Sequence, residues 1–187
     1  FASSQPVLLA LTLLLARFRE LYGQVRFWRE RALTCPLTGL PNRRALEMAL
    51  EREAARVERG GPPFALVLVD LDGFKRVNDE GGHREGDRYL RRVARALVSG
   101  VGRGDLVARW GGDEFAVPLL GTGEKEAVEV AERLGRRLQE EGVSASLGVA
   151  VYAGDLEDLF LRADQALYRA KALGKGRVVL ASPQGRR

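Results

Sequence analysis

Residues 64–70 read Phe-Ala-Leu-Val-Leu-Val-Asp, six apolar residues in a row and then a carboxylate. A short, almost wholly apolar run of this kind is expected to be a strand buried on both faces. Such a strand needs a sheet with helices packed on it. It also delivers Asp70 at its C-terminal edge, where a rigid backbone can present a ligand.

The remaining elements fit around that strand. Residues 6–34 are expected to form one helix, with Leu8, Leu11, Leu15, Phe18, Tyr22 and Val25 alternating in steps of three and four. That is a heptad seam with a polar break at Arg29, and a seam needs a partner. The stretch 35–42, Cys-Pro-Leu-Thr-Gly-Leu-Pro-Asn, ends that helix, and Asn42 is a good N-cap for the next. Helices are expected over 43–59, 85–99, 124–141 and 156–173. Strands are expected over 64–70, 143–151 and 177–180, and a hairpin of 106–110 with 115–120 turns on Gly111-Gly112. Pro118 cannot donate to a ladder, so the second hairpin strand is expected to end early or bulge there. The order suits an α/β or α+β domain.

Length and charge narrow the class. At 187 residues and 45% hydrophobic, the chain is long enough for one domain with a sizeable core plus an appendage. The division expected is 1–34 as a signalling or dimerising helix, 35–182 as the domain and 183–187 as a tail. The net charge of +5 sits mainly at the ends. Residues 1–34 hold five arginines against two glutamates, and Arg186 and Arg187 close the chain. No nucleic-acid motif accompanies this basic excess, so no nucleic-acid partner is expected and a solvated helix face is the simpler reading. The single cysteine, Cys35, excludes an internal disulfide and fits a cytoplasmic setting. The apolar run 7–16 is shorter than the ~20 residues a bilayer crossing takes. Because Phe1 rather than Met stands first, an upstream sensor is expected to precede this piece. Membrane attachment of the longer protein stays open.

Two acidic groups carry the chemistry. Asp70-Leu71-Asp72 ends the buried strand, and Gly111-Gly-Asp113-Glu114-Phe115 forms the hairpin turn. If the hairpin pairs with the first strand, Asp70 meets one of the two turn acids. Hard cations such as Mg²⁺ take oxygen ligands and often bind one or two carboxylates plus a substrate phosphate. Neighbouring strand side chains point to opposite faces, so Asp113 and Glu114 are expected to do different work.

Five runs extend this pattern. They are Leu37-Thr-Gly-Leu-Pro-Asn-Arg43, Asp70 to Asp87, Arg109-Trp-Gly-Gly-Asp-Glu-Phe115, Ser146-Leu-Gly-Val-Ala150 and Ala163 to Lys175. In order and spacing they resemble the GGDEF family of diguanylate cyclases across about residues 35–180. The resemblance implies a βαββαβ core with a central antiparallel sheet, similar to ferredoxin-like nucleotidyl cyclases and polymerase palms. It implies that two GTP molecules are joined into cyclic di-GMP and two pyrophosphates, with Mg²⁺ (or Mn²⁺) as cofactor, where two such domains face each other. The N-terminal helix is the candidate for making that homodimer.

The same resemblance assigns roles. Asp70 and the Leu71 carbonyl correspond to metal ligands. Asp113 and Glu114 correspond to the acids that ligate metal, and Asp113 is implicated in activating the 3′-hydroxyl. Asn78 and Asp87 match the pair that reads guanine. Gly73 and Phe74 match backbone donors to phosphate. Lys75, Lys171 and Lys175 match cations around the triphosphate. His83, the single histidine, is assigned no chemistry.

Two departures stand out. Cys35 occupies a position where the family usually has aspartate, at the joint between helix and domain. The family's product-inhibition pattern, Arg-x-x-Asp, retains Asp105 but has Gly102 in the arginine's place, with Arg103 one position off. An inhibitory site of that kind is therefore not expected. The rival reading is an idle domain of the same family that binds GTP or cyclic di-GMP as a regulatory module. Such domains usually lose the acidic or guanine-reading residues, which this chain keeps.

Overall fold

The computed structural model describes residues 5–102 and 104–182, with side chains described outside 5–10 and 25–31. Helix α1 (Gln5–Leu33) leads into α2 (Arg43–Glu58), β1 (Phe64–Leu71), α3 (Phe74–Gly100), β2 (Ala108–Arg109), β3 (Glu114–Leu120), α4 (Glu124–Glu140), β4 (Ala145–Val151), α5 (Leu156–Ala172) and β5 (Val178–Leu180). The five strands form one sheet in the order β2-β3-β1-β4-β5. From β1 to β4 the elements run βαββαβ, as the sequence led one to expect.

The apolar run explains the layering. β1 lies mid-sheet, antiparallel to β3 on one side and to β4 on the other. Its odd-numbered residues Ala65, Val67, Val69 and Leu71 pack into one core with α3 and α4, including Leu90, Val93, Leu97, Leu134 and Leu138. Its even-numbered residues Leu66 and Leu68 pack into a second core with Leu46 and Leu50 of α2 and Leu159, Ala163 and Leu167 of α5. With both faces covered, every position from Phe64 to Val69 is buried, and the alternation of a half-exposed strand is lost.

Four local outcomes differ from expectation. First, helix α3 starts at Phe74, whereas a loop was expected before residue 85. Glycines and charged residues mask this first segment, and a break at Gly82 (φ 74°, ψ 172°) separates it from the longer run. Second, the sheet is not wholly antiparallel, because β5 pairs parallel to β4 after the crossover through α5. Third, the first hairpin strand is only Ala108–Arg109. Fourth, β3 runs through Pro118 without interruption, opposite Leu66. Trp110 N–H donates to the Glu114 carbonyl, so alternate residues 114, 116 and 118 turn their backbone polar groups toward β2. β2 has ended before it reaches Pro118, and the proline's missing N–H costs no ladder bond.

Glycine is required at Gly148 of β4 for room. A Cβ there would overlap the Ala163 carbonyl oxygen and the Leu167 nitrogen, so the α5 backbone rests directly on the strand. Along α1, by contrast, the side chains of residues 11–24 are open to solvent. Leu11, Leu15, Phe18 and Tyr22 of the expected seam are 54–65% exposed, as are the neighbouring Leu13, Leu14 and Leu21 at 53–67%. Side chains of the seam residues Leu8 and Val25 and of Arg29, together with Arg103 and the tail 183–187, lie outside the described set. Among the described residues no helix is long and apolar enough to cross a membrane.

Candidate active site

The register of β1 with β3 brings the two acidic motifs together. Asp70 and Glu114 are cross-strand partners, so both side chains leave the same face of the sheet. The Leu71 N–H donates to the Asp113 carbonyl at 3.2 Å, which fixes the turn acid against the end of β1. Lys171, in the last turn of α5, reaches this face and places its Nζ 2.8 Å from Asp70 Oδ2. The Asp70 side chain is only 14% exposed there.

Charge in this corner is unbalanced. Burial pushes the Asp70 carboxyl above its ordinary pKa, and the neighbouring Asp113 and Asp72 add to the rise against the pull of Lys171. Burial also raises Glu114, reinforced by Asp70 and Asp113. Burial disfavours the Lys171 ammonium, but its hydrogen bond to Asp70 and the surrounding acids outweigh that and hold its pKa up. A group of carboxylates that raise one another's pKa is one that gains from a further cation.

The donors fit Mg²⁺ in kind. They are hard oxygens, and a cation (the Lys171 ammonium) already lies against one of them. Among the described residues no three or more acidic, histidine or cysteine side chains converge tightly enough to cage a metal alone. Mg²⁺ commonly relies on one or two carboxylates, with waters and substrate phosphate completing its shell.

The other expected residues fall along α3 and beyond α5. Gly73 caps α3 with a left-handed φ of 75°, and a Cβ there would meet no atom within 4 Å. Glycine at this position serves the turn and leaves the backbone uncovered, rather than relieving a clash with the protein. Phe74 follows and packs its ring 5.9 Å from that of Tyr89. Lys75 is exposed in the first turn and makes no ion pair among the described residues. Asn78 and Asp87 stand on either side of the break at Gly82. Gly86 makes room for the Asn78 side chain, since a Cβ at Gly86 would overlap Asn78 Oδ1. His83 is exposed beside the break. Lys175 lies outside α5, in a turn, and is the single non-glycine residue with positive φ among the described residues.

Two supporting roles escaped the sequence reading, although both residues stand in the motifs it singled out. Asp72 accepts from Ser144 Oγ, Ser146 Oγ and the Gly176 N–H. Arg109 holds the acidic turn, donating from Nε to the Gly111 carbonyl and from Nη2 to the Gly112 carbonyl. The adjacency of Arg109 to Gly111-Gly112 was the available signal for the second. Nothing local signals the first. In the loop before β2, Asp105 turns its carboxylate onto the Gly102 N–H at 3.0 Å, and Gly102 accepts from the Asp105 N–H in return.

Cross-strand carboxylates at the ends of β1 and β3, with a lysine of α5 against one of them, mark the candidate site of this α+β domain. Comparison gives the family. Residues 32–177 match the family described as "Diguanylate cyclase, GGDEF domain", and the chain belongs to it. It is 41% identical over 164 residues to the diguanylate cyclase DgcP of Pseudomonas aeruginosa, covering 82% of this chain and 24% of that protein. It is 38% identical over 174 residues to the diguanylate cyclase DosC of Escherichia coli K12, covering 87% of this chain and 37% of that one. The chain thus spans between a quarter and two fifths of these relatives' length. Among solved structures, the coiled coil and GGDEF domain of DgcB from Caulobacter crescentus, in complex with c-di-GMP, aligns with a TM-score of 0.81. The identity is 31%, over 96% of this chain and all of that one.

Proposed function

We propose that this chain is the catalytic output domain of a signalling protein, that it condenses two GTP molecules into cyclic di-GMP, and that it acts as a homodimer. The observation that carries the reading is the pairing of Asp70 with Glu114 across β1 and β3, with Asp113 beside them and Lys171 against Asp70.

In this reading Asp70, the Leu71 carbonyl, Asp113 and Glu114 would supply the oxygen ligands for Mg²⁺. When bound, Mg²⁺ neutralises charge on the reacting phosphate and lowers the pKa of the attacking hydroxyl. The chain's own groups do the rest. Asn78 and Asp87 orient guanine, the carboxylate accepting from N1–H and N2–H. The uncovered backbone at Gly73 and Phe74 faces the phosphates. Lys75, Lys171 and Lys175 stabilise the departing pyrophosphate. Each 3′-oxygen forms a bond to the α-phosphorus of the other nucleotide, the bond from that phosphorus to its β-bridging oxygen breaks, and the hydroxyl proton passes to the acidic cluster. Positioning two GTP molecules face to face supplies much of the rate.

One domain holds one GTP, so two must meet. The exposed apolar side chains of α1, including Leu11, Leu15, Phe18 and Tyr22, support pairing through residues 1–34, with the catalytic unit in 35–182. The supply of GTP and the free thiol of Cys35 support a cytoplasmic site of action. The loop closure between Gly102 and Asp105 supports the absence of product inhibition through that position.

The test is incubation at high protein concentration with GTP and Mg²⁺, chromatographic separation of nucleotides, and Asp70→Ala as control. Cyclic di-GMP from the parent alone is the expected result. GTP binding without turnover, even after dimerisation is enforced by a fused coiled coil, would instead establish a regulatory module.

A further inference from the structure

Two aspartates bracket Leu71, and their surroundings differ. Asp70 faces Lys171 and the turn acids. Asp72, just beyond β1, has both oxygens engaged by the protein. Ser146 Oγ donates to Oδ1 at 2.8 Å, while Ser144 Oγ at 2.7 Å and the Gly176 N–H at 3.0 Å donate to Oδ2. The Asp72 N–H in turn donates to the Ser144 carbonyl at 2.9 Å. Ser146 is the one fully buried polar residue among the described residues. A carboxylate with three donors already aimed at it is committed to the protein and is a poor candidate for a metal ligand.

What Asp72 holds is the turn after α5. Gly174, Lys175 and Gly176 have φ of 109°, 64° and 57°, three left-handed residues in succession. Glycine adopts this readily, but lysine does so only where the surroundings compel it. Three contacts do so here. The Lys175 N–H reaches the Ala170 carbonyl at 3.0 Å, the Arg177 side chain reaches the Lys175 carbonyl at 3.2 Å, and the Gly176 N–H is clasped by Asp72. Only the last ties the turn to the strand that bears Asp70.

We propose that Asp72 is a positioning residue for phosphate binding: its carboxylate clasps Gly176 and so keeps Lys175 in the left-handed conformation that aims its side chain at the triphosphate. This rests on the reading above in which Lys175 serves the triphosphate. Asp70 and Asp72 therefore divide the work of one short motif, the first facing the metal and the second fixing the cationic turn.

A double-mutant cycle tests it. The parent, Asp72→Asn, Lys175→Ala and the double variant are compared for kcat/KM with GTP, and exchange of the Gly176 amide is followed by NMR in the parent and Asp72→Asn. The expected result is a loss of about ten-fold for each single variant, the scale of one hydrogen bond to a charged group. The double variant is no worse than Lys175→Ala, and Gly176 exchange quickens in Asp72→Asn. Losses that multiply, or Gly176 exchange unchanged by Asp72→Asn, overturn the clasp. Full activity of Lys175→Ala overturns instead the reading of Lys175 on which it rests. If Asp72→Asn fails to fold, Ser144→Ala, which removes one donor and leaves the charge, takes its place. A smaller loss that vanishes in the Lys175→Ala background then upholds the proposal, and one that persists there overturns it.

Discussion

Arg109 donates from Nη1 to Cys35 Sγ at 3.3 Å while its Nε and Nη2 grip the carbonyls of Gly111 and Gly112 at 3.1 and 2.7 Å. Its backbone N–H also reaches the Pro41 carbonyl at 2.9 Å. One residue thus fastens the loop that follows α1 to the acidic turn. Arg109→Lys keeps the charge but loses the planar fork that spans both carbonyls. Activity on GTP is expected to fall about ten-fold, with one or two hydrogen bonds lost. Cys35→Asp, which gives the guanidinium a carboxylate, is expected to add up to about 1 kcal/mol, as partly exposed ion pairs do. Thermal melting alongside turnover checks both, and an unchanged turnover for Arg109→Lys would sink the first.

The same contact, together with Thr38, bears on the Cys35 thiol. Burial alone would raise its pKa, but hydrogen bonds from Thr38, from Arg109 and from the N–H groups of Thr38 and Leu37 outweigh it and bring the thiol from 9.0 down to about 7. The folded state therefore favours the thiolate. Its stabilising contribution is complete above the unfolded pKa and is lost as pH falls through about 7. Alkylation by iodoacetamide is expected to reach half its maximal rate near pH 7, and the midpoint is expected to move up in Arg109→Ala. A midpoint near 9 in the parent would contradict the contact.

Helix α1 yields a concentration-dependent prediction. Leu15 is 54% exposed, within the seam formed with Leu11, Phe18 and Tyr22. A glutamate there places charge in the middle of an apolar pairing surface. Leu15→Glu is expected to lower activity per molecule at low protein concentration and to shift light scattering toward monomer. Activity that stays independent of the substitution at every concentration would rule out α1 as the dimerising element.

Lys175 should show a conflict between stability and activity. Its φ of 64° suits glycine. Lys175→Gly is expected to stabilise the fold by about 1 kcal/mol. For a chain of this size that corresponds to roughly 2–4 °C in Tm. The same change removes a cation from the proposed phosphate site, so turnover is expected to fall while Tm rises. A Tm that drops would mean the side chain stabilises the fold in some other way.

The parts of this fold that were legible in the sequence are those with a local signature. The run from Phe64 to Val69 announced a strand covered on both faces, and Gly111-Gly112 announced the hairpin that sets Glu114 opposite Asp70. What stayed hidden depended on distance along the chain. Asp72 meets Ser144, Ser146 and Gly176 across 72, 74 and 104 residues, and no spacing rule reports such pairings. The start of α3 was masked because Gly81, Gly82 and a run of charged residues carry little apolar periodicity. Pro118 misled because its cost depends on how far β2 extends, which its own neighbours do not encode.

The bare backbone of Gly148 bears on how Lys171 can move. At Gly148 the α5 backbone meets β4 with no strand side chain between them, so helix and sheet pack there as one plate with little room to slide. Lys171 and Asp70 are thus bolted to the same plate, 2.8 Å apart at their tips. A cation competing for Asp70 would therefore displace the ammonium by a swing of the lysine's own four-carbon stem rather than by a shift of α5.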